Sequence, residues 1–386
     1  YEVFGRYQPM WEEHEISEEM MKNAREYTDT AIFVLGRNSG GEECDRHIEN
    51  DYYLTESEKN LMGRICQTFE NVILILNING VVDLKWIDTY SAIKAVLFLG
   101  IPGEEGCGAL ADILTGRINP SGKLGFTIAE SLWDYPTANN FTWNKENPED
   151  ILTYENYGLS AAKNGSIGYD KSPVTLYQED IYLGYRYFDT FQKKVLFPFG
   201  SGLSYTSFDI VPKEVIQQDE EYEIVTEVTN TGNYAGKETV QLYLSCQNTA
   251  TERPQKELKG FEKTKLLAPG ESEEIHIYIE RKELAVYVEA KASYILEKGT
   301  YCFLIGNTSN KVETAGEIHV DEDLIIKKCT NCLQIQECNV EQLRFLSAKS
   351  GEKKAEHYDN SRSESCRSEA ALKNETAELK DFSIRQ

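Results

Sequence analysis

The chain has 386 residues, of which 40% are hydrophobic and 27% charged, and its formal net charge is -24. That length and apolar content suffice for roughly two or three domains with buried cores. An excess of negative charge repels phosphate backbones and anionic bilayers, which excludes nucleic acid and membrane surfaces as partners. No apolar run approaches the ~20 residues of a bilayer span. No signal-peptide pattern follows Tyr1, and the sequence is expected to continue upstream of that residue. The nine cysteines are scattered and odd in number. Several fall where the pattern reads as strand or helix, such as Cys66, Cys246 and Cys302. This predicts reduced thiols and a cytoplasmic setting rather than a disulfide framework. Cys329-x-x-Cys332 with Cys338 lacks a fourth ligand at zinc spacing, so no metal is expected.

The first half alternates helices with apolar runs. A helix is predicted over 17–28, with Ser17 as N-cap and Glu18 and Glu19 in its first turn. Ala31 to Leu35 reads as a buried strand. Thr55-Glu56-Ser57-Glu58 is a capping box. It opens a helix whose residues Leu61, Met62, Ile65, Cys66 and Phe69 share one face. Val72 to Leu76 and Ile93 to Leu99 read as further strands, Glu105 to Leu114 as a helix, and Leu124 to Ile128 as a fourth strand. Continuous apolar strands separated by helices imply a parallel sheet covered on both faces. Residues 130–180, rich in Tyr, Asn and Gly, lose this rhythm and suggest a long excursion over the surface.

From about Ser204 the apolar period becomes two. Tyr222-Ile224-Thr226-Val228, Val240-Leu242-Leu244, Ile275-Ile277-Ile279, Leu284-Val286-Val288 and Tyr301-Phe303-Ile305 alternate with polar residues. Turn signals lie between them, at Asn230-Thr231-Gly232-Asn233, Pro269-Gly270 and Lys298-Gly299. This is the pattern of an antiparallel β-sandwich. The expected organisation is an α/β domain over 1–200, a β-sandwich over 201–322 and a polar linker or disordered tail over 323–386.

The chemistry concentrates after the first strand, in Gly36-Arg37-Asn38-Ser39-Gly40-Gly41-Glu42-Glu43-Cys44-Asp45-Arg46. A glycine-rich segment at the carboxyl end of a parallel strand is where open α/β sheets bind ligands. Glycines let the backbone turn tightly, and a carboxylate held there is placed for general acid/base work. Glu42 is the first candidate, and Glu43 competes for the same role. Asp45 and Arg46 are expected to pair and shape the loop, because a guanidinium fork fixes a carboxylate's geometry. Other chemistry is disfavoured. Gly103 to Gly108 lacks the dinucleotide spacing, and its small residues suit close packing of helix on sheet. Gly122-Lys123 is followed by Leu124, so there is no Walker A motif. No G-x-S-x-G elbow occurs. Of the five histidines, only His47 lies near the acidic segment. The aromatic run Tyr182, Tyr185, Tyr187, Phe188, Phe197 and Phe199 could stack on sugar rings. It reads more readily as an apolar seam between the two folded parts.

Together these motifs resemble glycoside hydrolase family 3, the β-glucosidase-like enzymes. Gly36 to Arg46 is similar to that family's acid/base loop, commonly written S-G-E-G-x-D-R. Asn77 to Trp86 resembles the strand and turn that follow. Pro102 to Gly106 and Gly116 to Leu124 are similar to its G-x-E-G and G-x-x-N-P-S-G-K-L signatures. Gly184 to Asp189 and Phe197 to Tyr205 resemble the lead into its fibronectin III-like domain. That domain would then continue through Asn230-Thr231-Gly232 and Lys259-Gly260-Phe261 to about Val320. The implied fold is a mostly parallel α/β sandwich followed by a fibronectin III-like β-sandwich, that is, α/β plus all-β.

The implied chemistry is retaining hydrolysis of β-glycosides or oligosaccharides by two carboxylates, without a cofactor. Glu42 maps onto the acid/base, with Arg37, Ser39, Asp45 and Arg46 shaping the loop. Gly41 looks inserted, and Glu43 stands where the family pattern has Gly, so Glu43 remains a competitor. The family's nucleophile is an Asp of a (β/α)₈ barrel, and no segment here supplies one. Some members place the sandwich and fibronectin-like parts before the barrel, and Gln178 to Tyr182 resembles that order. The implied partner is a barrel in cis or trans, and the chain alone is expected to be inactive. The alternative is a non-catalytic carbohydrate-binding or scaffold protein derived from such an enzyme. Sugar specificity would rest with the barrel. The β-sandwich is expected to add stability and, in a homodimer, contacts between copies.

Overall fold

The computed structural model describes residues 15–37, 48–136, 138 and 179–330. Most of the expected excursion and the tail from 331 onward therefore lie outside the described residues. The chain forms two compact units. One comprises the described residues up to Thr115 together with those from Ile128 to 138. The other comprises Gly116–Thr127 and the described residues from 179 onward.

In the first unit, helix α1 (Glu18–Tyr27) starts where Ser17 accepts a bond from the Met20 N–H at 3.2 Å. Helix α2 (Glu56–Thr68) starts at Thr55. There the Glu58 N–H donates to the Thr55 hydroxyl at 3.1 Å, and the Thr55 N–H donates to Glu58 Oε2 at 2.8 Å. Two donors that a helix start leaves open are thereby satisfied. Strands β1 (Thr30–Gly36), β2 (Asn71–Asn77) and β3 (Ile93–Phe98) form a parallel sheet in the order β1-β2-β3. Ile32 faces Ile73, and Val34 faces Ile75.

Phe33 and Leu35 of β1 are buried together with Val72, Leu74 and Leu76 of β2, and α2 buries Leu61, Met62 and Ile65. The opposite side of β1 is open: Ile32 is 54% exposed and Val34 49%. Among the described residues β1 is thus covered on one side only, whereas β2, which buries the adjacent Leu74 and Ile75, is covered on both sides as its continuous apolar run suggested. Helix α3 (Gly106–Leu114) buries no side chain, so its glycines do not serve close packing on the sheet. Gly106 is needed for another reason. A Cβ there would meet the Pro102 Cβ at 2.1 Å.

The expected fourth strand over 124–128 does not form as such. Only Ile128–Ala129 (β4) is extended as a strand. Leu124 instead belongs to the second unit, where its N–H donates to the Ser201 carbonyl at 2.8 Å and its carbonyl accepts from the Gly200 N–H at 2.8 Å. Apolar periodicity marked Leu124 for a strand of the parallel sheet and could not reveal its actual partners.

The second unit contains helix α4 (Tyr185–Thr190) and strands β5 (Val195–Phe197), β6 (Phe208–Gln217), β7 (Glu221–Asn230), β8 (Thr239–Gln247), β9 (Glu257–Lys263), β10 (Ser272–Glu280), β11 (Val286–Val288), β12 (Ser293–Leu296), β13 (Gly299–Thr308), β14 (Lys311–Val320) and β15 (Leu324–Lys328). Two antiparallel sheets, β10-β7-β6 and β14-β13-β8-β9, form a sandwich. Ile224, Val228, Leu242, Leu244, Ile277 and Phe303 lie in its single core, as period-two strands with one buried face require. A smaller sheet, β11-β12-β15, follows the same antiparallel rule.

The aromatic run belongs to this unit. Tyr182 is fully buried and Phe188 nearly so. Tyr185 packs on Phe199 and Tyr243 with ring centroids at 4.7 and 5.8 Å. Its hydroxyl accepts from the Leu258 N–H at 2.7 Å, and Lys256 reaches Asp189 at 3.2 Å. These rings seal α4 onto the sandwich.

Candidate active site

The carboxyl edge of the parallel sheet is where the acidic segment leaves β1. Ser39, Glu42, Glu43, Asp45, Arg46 and His47 lie outside the described residues. The residues on either side of that stretch, Gly36–Arg37 and those from Ile48 onward, are described, and one side chain joins them. Arg37 continues the β1–β2 ladder by donating its N–H to the Asn77 carbonyl at 3.1 Å. Its side chain then turns inward and is almost wholly buried. Nη1 and Nη2 donate to Glu58 Oε1 and Oε2 at 2.6 and 3.0 Å, a two-pronged pair. Nε donates to the Asp51 carbonyl at 2.6 Å, and Nη1 also donates to the Gly36 carbonyl at 2.7 Å. The Asp51 carboxylate stands 3.7 Å from Nε.

A buried guanidinium is tolerable only when its charge and donors are met. Here one group is met by the end of β1, by residue 51 beyond the acidic segment, and by the first turn of α2. Glu58 serves twice, since its Oε2 also accepts the Thr55 N–H. The negative carboxylate in the first turn of α2 also suits the positive end of that helix.

Further residues brace the far side. Asn50 sits in the left-handed region at φ 62°, which Asn tolerates better than most side chains. The Asp83 N–H donates to the Tyr52 carbonyl at 3.0 Å, and the Trp86 Nε1–H donates to the Asp83 carbonyl at 2.9 Å. Tyr52 is buried. Burial, followed by the nearby Tyr135 and Asp83, pushes its phenol well above the ordinary range, so it stays neutral. The turn that resembled a family motif, Asn77 to Trp86, thus reaches the base of the acidic segment through Asp83. The role of Glu58 was hidden in the sequence. The capping box signalled its helix position, but nothing local signalled a partner 21 residues away.

The other signature segment lies in the second unit. Asn119 Oδ1 accepts from the Ser204 hydroxyl and the Tyr205 N–H, each at 2.8 Å, while Nδ2 donates to the Ala235 carbonyl at 3.0 Å. Lys123 lies 2.7 Å from Glu238, with both side chains largely buried. A Cβ on Gly202 would meet the Gly122 carbonyl oxygen at 2.2 Å. The Asn-Pro-Ser-Gly-Lys-Leu run and the Gly-Ser-Gly-Leu-Ser-Tyr run therefore form a structural clip. No cluster of three His, Cys, Asp or Glu side chains suited to a metal ion occurs among the described residues.

Comparisons with known proteins place the chain in a family. The profile of the Glycosyl hydrolase family 3 C-terminal domain matches residues 12–205, and that of the Fibronectin type III-like domain matches 238–309. A β-glucosidase of Ruminococcus albus is 33% identical over 328 residues, 83% of this chain and 32% of that protein. β-Glucosidase A of Butyrivibrio fibrisolvens is 32% identical over 370 residues, 84% of this chain and 41% of its own length. Among solved structures, a β-glucosidase of Paenibacillus barengoltzii superposes with a TM-score of 0.70 at 33% identity, covering 82% of this chain and 33% of that one. β-Glucosidase 3B of Thermotoga neapolitana, in complex with α-D-glucose, gives 0.69 at 32% identity, covering 83% and 42%. This chain spans about a third to two fifths of the length of these relatives. With the family's C-terminal profile over half its residues and β-glucosidases aligned over more than four fifths of it, the chain belongs to glycoside hydrolase family 3.

Proposed function

We propose that this chain is the acid/base-bearing part of a retaining β-glucosidase-like hydrolase, with residues 38–47 delivering the proton donor. The observation that supports this reading is the Arg37 brace. It fixes Gly36 and Asp51, on either side of the acidic segment, at the carboxyl edge of a parallel sheet. A general acid must be held within hydrogen-bond reach of one oxygen, so its loop needs rigid ends. Glu42 is the proposed acid/base, ahead of Glu43, and Ser39, Asp45 and Arg46 shape the loop around it. In retention this group first protonates the leaving oxygen and then activates water. The nucleophilic carboxylate would come from a (β/α)₈ barrel in the same polypeptide or in trans.

The test is complementation. The chain alone is expected to leave an aryl β-glucoside intact. Mixed with a family 3 barrel that carries its own nucleophile, it is expected to restore turnover. Glu42→Gln should remove that turnover by about 100-fold or more, while Glu43→Gln should leave most of it. Turnover by the isolated chain would refute the need for a barrel. Loss with Glu43→Gln alone would exchange the two roles. A carbohydrate-binding or scaffold function is the alternative, and it predicts sugar binding with no restored turnover.

A further inference from the structure

An asparagine side chain is attacked by the backbone nitrogen of the next residue most readily when that residue is glycine, because no Cβ then hinders the approach. The sequence holds the Asn-Gly pair at 79–80 and at 164–165. The second pair lies outside the described residues. The first follows β2 at the carboxyl edge of the parallel sheet, in a bend that is neither helix nor strand.

The fold leaves this pair open to reaction. Ile78 and Val82 are each 1% exposed and anchor the bend, whereas Asn79 between them is exposed. Gly80 sits at φ 96°, where glycine pays no steric cost. Its N–H makes no hydrogen bond among the described residues. Helix and sheet ladders fix a backbone amide by pairing it, and neither holds this one.

The chemistry needs only water. The Gly80 nitrogen gives up its proton and attacks Cγ of Asn79. The new N–Cγ bond closes a succinimide ring, the Cγ–Nδ2 bond breaks, and ammonia leaves with the proton. Water then opens the ring. Attack at Cγ leaves an ordinary aspartate at position 79, and attack at the main-chain carbonyl leaves isoaspartate. Either product exchanges an amide for a carboxylate, with no change of oxidation state. Isoaspartate also routes the backbone through an extra carbon.

The position gives the change a consequence. Just before the pair, the Asn77 carbonyl accepts the Arg37 N–H at 3.1 Å, and beyond it the Asp83 N–H donates to the Tyr52 carbonyl at 3.0 Å. The new charge lies in sequence between the two points that tie this turn to the flanks of the acidic segment.

We propose that Asn79 is a site of spontaneous deamidation in the folded protein, which gives this turn a negative charge. This assignment does not depend on the glycosidase reading. The test is peptide mapping of the full chain, held at mildly alkaline pH and sampled over weeks. The tryptic peptide 65–85 is expected to gain about 1 Da, placed at Asn79 by fragmentation. Asn79→Gln, whose longer side chain must close a larger and slower ring, should stop that gain. Gly80→Ala should slow it by roughly tenfold or more, with circular dichroism checking that the strained alanine still folds. The native rate is expected to stay within about 30-fold of the rate in urea, because the turn needs no unfolding to react. A peptide that keeps its mass overturns the proposal. So does a gain that persists in Asn79→Gln, or a native rate further below the urea rate, which would show that the fold shields the turn.

Discussion

At the residue scale, burial decides which ion pairs matter. The Arg37–Glu58 fork is nearly inaccessible to water, so removing one partner leaves the other's charge stranded. Arg37→Met and Glu58→Gln are each expected to cost about 3–5 kcal/mol, read as a shift in the urea midpoint. Arg25–Glu70 is just as short at 2.6 Å but solvent-exposed, and its loss should cost no more than about 1 kcal/mol. The thiols follow the same logic. Burial pushes Cys66 and Cys246 up to about 11, whereas Cys107 is exposed. Near neutral pH, iodoacetamide should label Cys107 well before Cys66 or Cys246, as peptide mass mapping would show. The opposite order would mean that the interior opens readily.

At the element scale, the turn between Ala268 and Glu271 carries a pH dependence. Glu271 accepts from the Ala268 N–H at 2.9 Å and lies 3.0 Å from the Lys265 ammonium. The backbone bond first, and Lys265 second, hold its carboxyl below the ordinary 4.5. A group whose folded pKa is depressed contributes its stability above the unfolded value and loses it as the pH falls through the folded one. Glu271→Gln should therefore lower Tm above about pH 4.5 and converge with wild type in stronger acid. An unchanged difference at every pH would dismiss the carboxylate as the cause. The Asn230 turn is fixed by geometry instead. Its buried amide donates to the Tyr234 and Leu267 carbonyls, each at 2.8 Å, and accepts from Thr206 and Gly232. A Cβ on Gly232 would meet the Thr206 hydroxyl at 2.2 Å, which explains why Gly follows in this Asn-Thr-Gly turn.

At the scale of the whole molecule, the β-rich unit is discontinuous in sequence, because Gly116–Thr127 folds with it. Asn119→Ala removes three hydrogen bonds from the clip. It should lower the melting transition of the β-rich unit by several degrees while leaving that of the α/β unit in place, as calorimetry would resolve. A fragment beginning near residue 201 lacks the 116–127 half of the clip together with α4 and should be less stable still. Equal stability with and without 116–127 would show the clip to be incidental.

Periodicity and punctuation in the sequence determined the element types. Ser17 and Thr55 announced helix starts through hydroxyls that must satisfy open N–H groups. The three apolar runs announced parallel strands, and period-two alternation announced the sandwich. These signals are local, because each is written within a turn of helix or a few residues of strand. Tertiary structure alone decided the rest. Leu124 read as another strand of the parallel sheet, yet its backbone bonds go to Gly200 and Ser201. The Asn119 motif read as family signature and became a clip. Glu58 read as a helix cap and became the counter-ion of Arg37. In each case the deciding partner is distant in sequence, and a side chain's local pattern records that it will be buried or bonded, not what will meet it.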